Sequence, residues 1–255
     1  MTDVLIALIG LTVGSFVNVL VHRLPKNESI LRPGSHCPEC KNKIRWFDNI
    51  PVVSYFILGG NCRHCKTKIS FRYPMIELMV MFLFWTTAKK FGFTPLLVVR
   101  DWPFMMILVA ITFIDLEHRI IPDSLNFGGL VLGLVTSWAV PGFGIMASVS
   151  GALVGFVCFY SLAWIYERWT GRCGLGGGDV KLLAMLGAFL GPTGVFCTIL
   201  ISSVTGSILG LTWGMVVRKK NLMTLAIPYG PFLVIGGMFF YLLGDLVWVR
   251  FMIPT

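Results

Sequence analysis

Residues 144–166 read GIMASVSGALVGFVCFYSLAWIY, twenty-three positions without one charged side chain. A helix crosses a hydrocarbon core about 30 Å thick with about 20 apolar residues, so this stretch is long enough to span a bilayer. Seven further apolar runs lie around it, at 4–21, 74–91, 102–116, 125–140, 180–190, 195–217 and 229–249. The 255-residue chain is 56% hydrophobic and 13% charged, with mean hydropathy +0.80. A soluble domain carries about a quarter charged residues. The pattern predicts an all-α polytopic membrane protein of about eight transmembrane helices. The expected division is a first helix at 1–21, a polar insert at 22–73 and the main bundle at 74–255. Runs 102–116, 125–140 and 180–190 are shorter than a full crossing. The last is cut off by Gly191-Pro192-Thr193-Gly194, so it reads either as a span or as a half-helix lining a cavity. The chain opens Met-Thr-Asp, and its first basic groups follow the first apolar run. That is not a cleavable signal, and the first helix is expected to stay in the protein.

The net charge is +9. With eight spans and the N-terminus outside, 17 of the 21 Lys and Arg face the cytoplasm. Ten of them lie in the 22–73 insert. Only Lys89, Lys90, Arg100 and Arg250 lie outside, and the opposite orientation would reverse the ratio. The positive-inside rule therefore accounts for the charge, and no nucleic-acid partner is needed. The basic insert suits anionic lipid headgroups. Small residues spaced by four recur at Gly10/Gly14, Gly129/Gly133, Gly151/Gly155, Gly187/Gly191 and Gly206/Gly210. In a bilayer this spacing lets helices approach closely.

Four of the seven cysteines sit in the insert, as Cys37-Pro-Glu-Cys40 and Cys62-Arg-His-Cys65, separated by 21 residues. Two such knuckles suit a tetrahedral zinc site made of four cysteines. The alternative, two disulfides, is disfavoured in a cytosolic loop. Four thiolates leave no open position for water, so the expected metal is structural. A segment of this size builds little core of its own, and a metal staple compensates. Cys158, Cys173 and Cys197 read as small buried hydrophobes.

Ionisable groups at or inside a membrane are functional candidates. Asp115 ends the third run, in Ile111-Thr-Phe-Ile-Asp115-Leu-Glu-His-Arg119. Asp179 opens the sixth, in Gly174-Leu-Gly-Gly-Gly-Asp179-Val-Lys181. The predicted topology puts both on the cytosolic side at similar depth. Two close carboxylates share one proton, so one can activate water while the other polarises a carbonyl. The glycines before Asp179 would let an extended substrate backbone approach. The plain alternatives are an N-cap for Asp179 and an ion pair with Arg119 for Asp115. Asp123, after Pro122, reads as a cap or turn residue. Glu77, at the start of the second run, is a third acidic candidate.

These residues, in this order, resemble the type 4 prepilin peptidases, the bifunctional leader peptidase/N-methyltransferases of bacterial inner membranes. The resemblance covers nearly the whole chain. It runs through Gly14-Ser-Phe-Val-Asn18, Arg23-Leu-Pro25 and the two CxxC knuckles with Trp46, Asn49-Ile-Pro51 and Ser54-Tyr55 between them. It continues through Ser70-Phe-Arg72-Tyr73-Pro74, Glu77, Ile114-Asp115-Leu, Ile121-Pro122-Asp123 and Gly176-Gly177-Gly178-Asp179. The last is a Gly-x-Gly-Asp motif, shared with presenilin-like intramembrane proteases. The resemblance implies cleavage of prepilin and pseudopilin leaders, with Asp115 and Asp179 as the catalytic pair. It also implies methylation of the new α-amine from S-adenosylmethionine, with Gly60 and Glu77 as candidate cofactor-binding positions. Two other readings stay open on the residues alone. Intramembrane aspartates and a broken helix would suit an ion-coupled transporter. Cysteine catalysis would need a base such as His36 or His64 beside a reactive thiolate.

Overall fold

The computed structural model describes residues 2–171, 174–217 and 228–252, with the side chains of 213–217 and 245–252 outside that description. Arg172, Cys173, Arg218, Lys219, Lys220 and the Arg250 side chain lie outside the described residues. Among the described residues the chain is helical and contains no strand beyond two isolated bridges. It divides into two compact units, Met1–Ile114 and Asp115–Thr255.

The first unit is built on α1 (Thr2–Arg23) and α3 (Arg72–Phe91). The polar insert connects them and carries one short helix, α2 (Val53–Ile57). Pro25 ends α1 in a 3-10 turn, and Asn27 follows in the left-handed region at φ 55. α3 stops at Gly92, with φ 74. The two long helices run antiparallel in close contact. A Cβ on Gly10 would stand 2.6 Å from Met81 Cα, and one on Gly14 would stand 2.6 Å from Glu77 Cα. The four-residue glycine spacing thus lets one backbone lie against the other. Asn18 continues the seam by donating from Nδ2 to the Tyr73 carbonyl at 3.1 Å. A π-helical turn, Leu97–Asp101, then leads into α4 (Trp102–His118). Trp102 stacks on Phe84, with centroids 4.7 Å apart.

The second unit begins at Asp115, near the end of α4. It contains α5 (Asp123–Thr136), α6 (Gly144–Thr170), α7 (Gly177–Val217) and α8 (Gly230–Met252). α7 holds 41 residues but is not one rod, because Gly191 breaks it at φ 71, ψ 178. Pro192 follows, pre-set for the first position of a new helix. The contacts of α8 show where the chain then goes. A Cβ on Gly237 would stand 2.8 Å from Leu186 Cδ2, while one on Gly236 would stand 2.7 Å from the Thr198 carbonyl oxygen. Farther along the second arm, Ser202 reaches Tyr229, just before α8. The arms therefore run in opposite directions along α8, and α7 is a helical hairpin turning at Gly191.

The first arm, 177–190, is about 21 Å long at 1.5 Å per residue, short of a full bilayer crossing. Every residue from Leu182 to Leu190 is buried. A helix apolar on all sides belongs in the middle of a bundle, and this one sits there. α6 packs antiparallel along it. Ser148 Oγ donates to the Ala188 carbonyl at 2.7 Å, Gly151 meets Gly187 backbone to backbone, and Gly155 lies against the Leu183 carbonyl. α5 runs parallel to it, with Gly133 against Phe189 and Ala188.

Each of the eight apolar runs is helical over most of its length. Among the described residues four helices are long and apolar enough to cross a membrane by length and composition: Thr2–Lys26, Leu97–His118, Gly144–Thr170 and Gly177–Thr212. The last owes its length to both arms of the hairpin.

Candidate functional site

Asp115 and Asp179 come together in the second unit. Asp115 is buried near the C-terminal end of α4, and Asp179 is half-buried in the first turn of α7. The two carboxylates are close enough to interact electrostatically. The Ile121 side chain lies against both Gly178 and Gly230, the residues beside each carboxylate.

The partner that fixes Asp115 is a backbone group. Gly230 N–H donates to its Oδ2 at 3.0 Å. Gly230 is the first residue of α8, so the acceptor oxygen also sits at the positive end of a helix dipole. A Cβ at Gly230 would stand 2.6 Å from that oxygen. Arg119, the alternative ion-pair partner, contributes only a longer-range attraction to Asp115. The hydrogen bond between them is backbone to backbone, from Arg119 N–H to the Asp115 carbonyl at 2.9 Å.

Asp179 is not an N-cap, because it lies inside the first turn of α7 and its own N–H donates to the Gly176 carbonyl at 3.0 Å. Asp123, read as a cap or turn residue, is the first residue of α5 and also bridges to α7. Lys181 Nζ donates to its two carboxylate oxygens at 2.7 and 2.8 Å. One turn later Asn126, 1% exposed, donates from Nδ2 to the Gly178 carbonyl at 3.4 Å. Its Oδ1 has no partner among the described residues.

Sequence reasoning missed Gly230 and Asn126. Their signals were faint. Pro228-Tyr229-Gly230-Pro231 marks a tight helix entrance, and Asn126 follows Asp123 by one helical step.

The four paired cysteines gather in the first unit, with all four Sγ atoms within 4.8 Å of one another. Cys37 Sγ and Cys65 Sγ are 3.8 Å apart. Four sulfurs at about 2.3 Å from one zinc ion are separated by about 3.8 Å, so the donor set fits. The knuckles are built alike. Cys37 N–H donates to the Asn42 carbonyl at 3.0 Å, and Cys62 N–H donates to the Thr67 carbonyl at 2.8 Å. Lys41 and Lys66, each following a second cysteine, both take positive φ (58 and 60). The structural repeat follows one in the sequence, Cys37-Pro-Glu-Cys40-Lys-Asn-Lys-Ile44 against Cys62-Arg-His-Cys65-Lys-Thr-Lys-Ile69.

Burial pushes the Cys37 thiol up to about 11. Hydrogen bonding to Thr67, whose hydroxyl lies 3.3 Å from Sγ, brings Cys65 down to about 6. Arg63, inside the second CxxC, forks onto Asp48 at 2.6 and 2.8 Å and holds that carboxyl below the usual range. It ties the second knuckle to the Trp46–Asn49 turn.

The candidate positions Gly60 and Glu77 are also in the first unit, but differently placed. Gly60 is in the left-handed region at φ 66, with the Tyr55 ring against its α-carbon. Glu77 is 7% exposed, and its Oε2 accepts the Val52 N–H at 2.7 Å.

Two family models match the chain in succession. The bacterial Peptidase A24 N-terminal domain covers residues 8–91, and the type IV leader peptidase family covers residues 102–211. The prepilin leader peptidase/N-methyltransferase of Pseudomonas aeruginosa is 39% identical over 93% of this chain and 89% of its own length. The protein of that name from Stutzerimonas stutzeri is 38% identical over 95% and 91%. The one from Neisseria gonorrhoeae is 33% identical over 96% and 91%. No solved structure matches the chain. Nothing in these relatives supports the transporter reading. With the insert and the aspartate-bearing bundle both matched, the chain belongs to the type IV leader peptidase family.

Proposed function

We propose that this membrane enzyme removes the leaders of prepilins and pseudopilins with Asp115 and Asp179, then methylates the exposed amine from S-adenosylmethionine. The observation that carries the first half is that one unit brings the two aspartates within electrostatic reach, with Gly230 bonded to Asp115 and Ile121 against both Gly230 and Gly178, the neighbour of Asp179. Asp115 takes the Gly230 N–H at the start of α8, and Asp179 stands in the first turn of α7, so both carboxyls face a helix N-terminus. The pair shares one proton: the ionised member takes a proton from the attacking water, and the protonated member polarises the scissile carbonyl. The open backbone at Gly177, where a Cβ would meet nothing within 4 Å, leaves room for an extended substrate strand beside Asp179.

For the second half, S-adenosylmethionine would supply an electrophilic methyl for the exposed α-amine. Gly60 and Glu77 belong to this half. Cys37, Cys40, Cys62 and Cys65 would hold a structural Zn²⁺ that shapes the insert around them. The domain division is 1–21, 22–73 and 74–255. The protein crosses the bacterial inner membrane with its N-terminus outside and the insert in the cytoplasm, where basic side chains meet anionic lipid. Nucleic acid has no part in this reading.

The test is direct. Purified protein is incubated with a prepilin, with and without S-adenosylmethionine, and the product mass is read. The expected products are the leaderless chain alone and the leaderless chain plus one methyl. An intact prepilin in both tubes would overturn the reading.

A further inference from the structure

Val52 holds an uncommon backbone, with φ 63 and ψ −51. Val53 N–H donates back to the Pro51 carbonyl at 2.6 Å, which closes a γ-turn of the rare positive-φ kind. A β-branched residue is among the least suited to that region. Such a conformation persists only where its surroundings impose it.

The imposing group is Glu77. Its Oε2 accepts the Val52 N–H at 2.7 Å, and Ser15 on α1 makes a second side-chain hydrogen bond to the same carboxyl. Glu77 lies at the α1–α3 seam, where its backbone meets Gly14. Both groups that reach its carboxyl come from this chain.

The γ-turn launches α2, and α2 carries Tyr55. A Cβ on Gly60 would stand 3.1 Å from the Tyr55 Oη and 3.2 Å from its Cζ. Gly60 N–H donates to the Tyr55 carbonyl at 2.9 Å, and the Gly60 carbonyl accepts Ile69 N–H at 2.7 Å, inside the second knuckle. Tyr55 also packs edge-on against Phe71, with centroids 6.1 Å apart. One continuous path thus runs from Glu77 through Val52, α2 and Tyr55 to Gly60.

We propose that Glu77 is a positioning residue for methyl transfer: it holds Val52 in the γ-turn, which sets α2 and Tyr55 against Gly60, and it touches neither methyl donor nor acceptor amine. This rests on the reading that the insert carries the methyl-transfer half.

The test uses full-length, zinc-loaded protein in detergent, a pre-trimmed pilin and S-adenosylmethionine. Methyl-transfer kcat, KM for the donor and leader cleavage are read separately. Glu77→Ala should lower methyl-transfer kcat about tenfold or more while donor KM stays within about twofold, the signature of lost geometry rather than lost binding. Leader cleavage and one zinc per chain should persist. Glu77→Gln keeps an oxygen to accept the Val52 N–H and should restore most of the rate. Val52→Gly in the Glu77→Ala background should also restore it, because glycine takes positive φ unaided. A charged contact to the donor predicts otherwise: Glu77→Gln would raise donor KM as much as Glu77→Ala, and Val52→Gly would rescue nothing. Either result overturns the proposal. If Glu77→Ala does not fold, Glu77→Gln alone still decides through donor KM. A wild-type protein that transfers no methyl would overturn the underlying reading instead. Val52 amide exchange, protected in wild type and opened in Glu77→Ala, then tests the clamp by itself.

Discussion

Gly230 places its N–H on one oxygen of Asp115 and leaves no room for a side chain there. Gly230→Ala should therefore displace the carboxylate and lower leader cleavage about a hundredfold, the size of effect expected for a misplaced reacting group. Methylation of a pre-trimmed pilin should be unchanged. Gly128→Ala is the control, since a Cβ at Gly128 meets nothing within 4 Å. A peptidase assay on the pair checks both. Asn126 is a subtler case. It bonds to the Gly178 carbonyl and is 1% exposed. Asn126→Leu should loosen the turn before Asp179 and cost about tenfold in cleavage, read in the same assay. The aspartates were legible in the sequence because an ionisable group at the end of an apolar run is rare and expensive. Gly230 was not, because a backbone donor carries no side-chain signature. Glu77 was legible as a position but not as a role, since its partner Val52 is set by a turn no pattern announces.

At the scale of elements, the hairpin of α7 is the distinctive feature. A run of eleven apolar residues ending in Gly191-Pro192 already read as too short to cross. What the pattern did not give was the burial of that arm on all sides, because an apolar run has the same composition against lipid as against protein. The reversal needs φ 71 at Gly191. With ψ 178 as well, that backbone is essentially closed to other residues, and Gly191→Ala should cost about 1–3 kcal/mol from strain alone. Gly151→Val should cost about 1–3 kcal/mol by forcing α6 off the first arm, where Gly151 and Gly187 now touch through their backbones. Thermal unfolding in detergent measures both. The two knuckles were fully legible as a ligand set, because CxxC spacing is a covalent constraint. Their matching hydrogen bonds were not, because they are made by the backbone.

At the scale of the molecule, each compact unit holds one proposed chemistry. Asp115, Asp179 and Gly230 lie in the second, while the cysteine cluster, Gly60 and Glu77 lie in the first. The two activities should therefore separate. Cys62→Ser should abolish zinc binding, read as metal per chain, and reduce methyl transfer while the cleavage of prepilin continues. Loss of both activities together would mean that the insert also shapes the peptidase site. The most direct measurement is leader cleavage by Asp115→Asn and Asp179→Asn, assayed beside methylation of a pre-trimmed pilin by the same preparations. Asparagine keeps the shape and removes the acid–base chemistry. Each variant should lose cleavage by about a thousandfold or more while methylation persists, as expected when a general acid or base is removed. Cleavage at the wild-type rate by either variant would contradict the account.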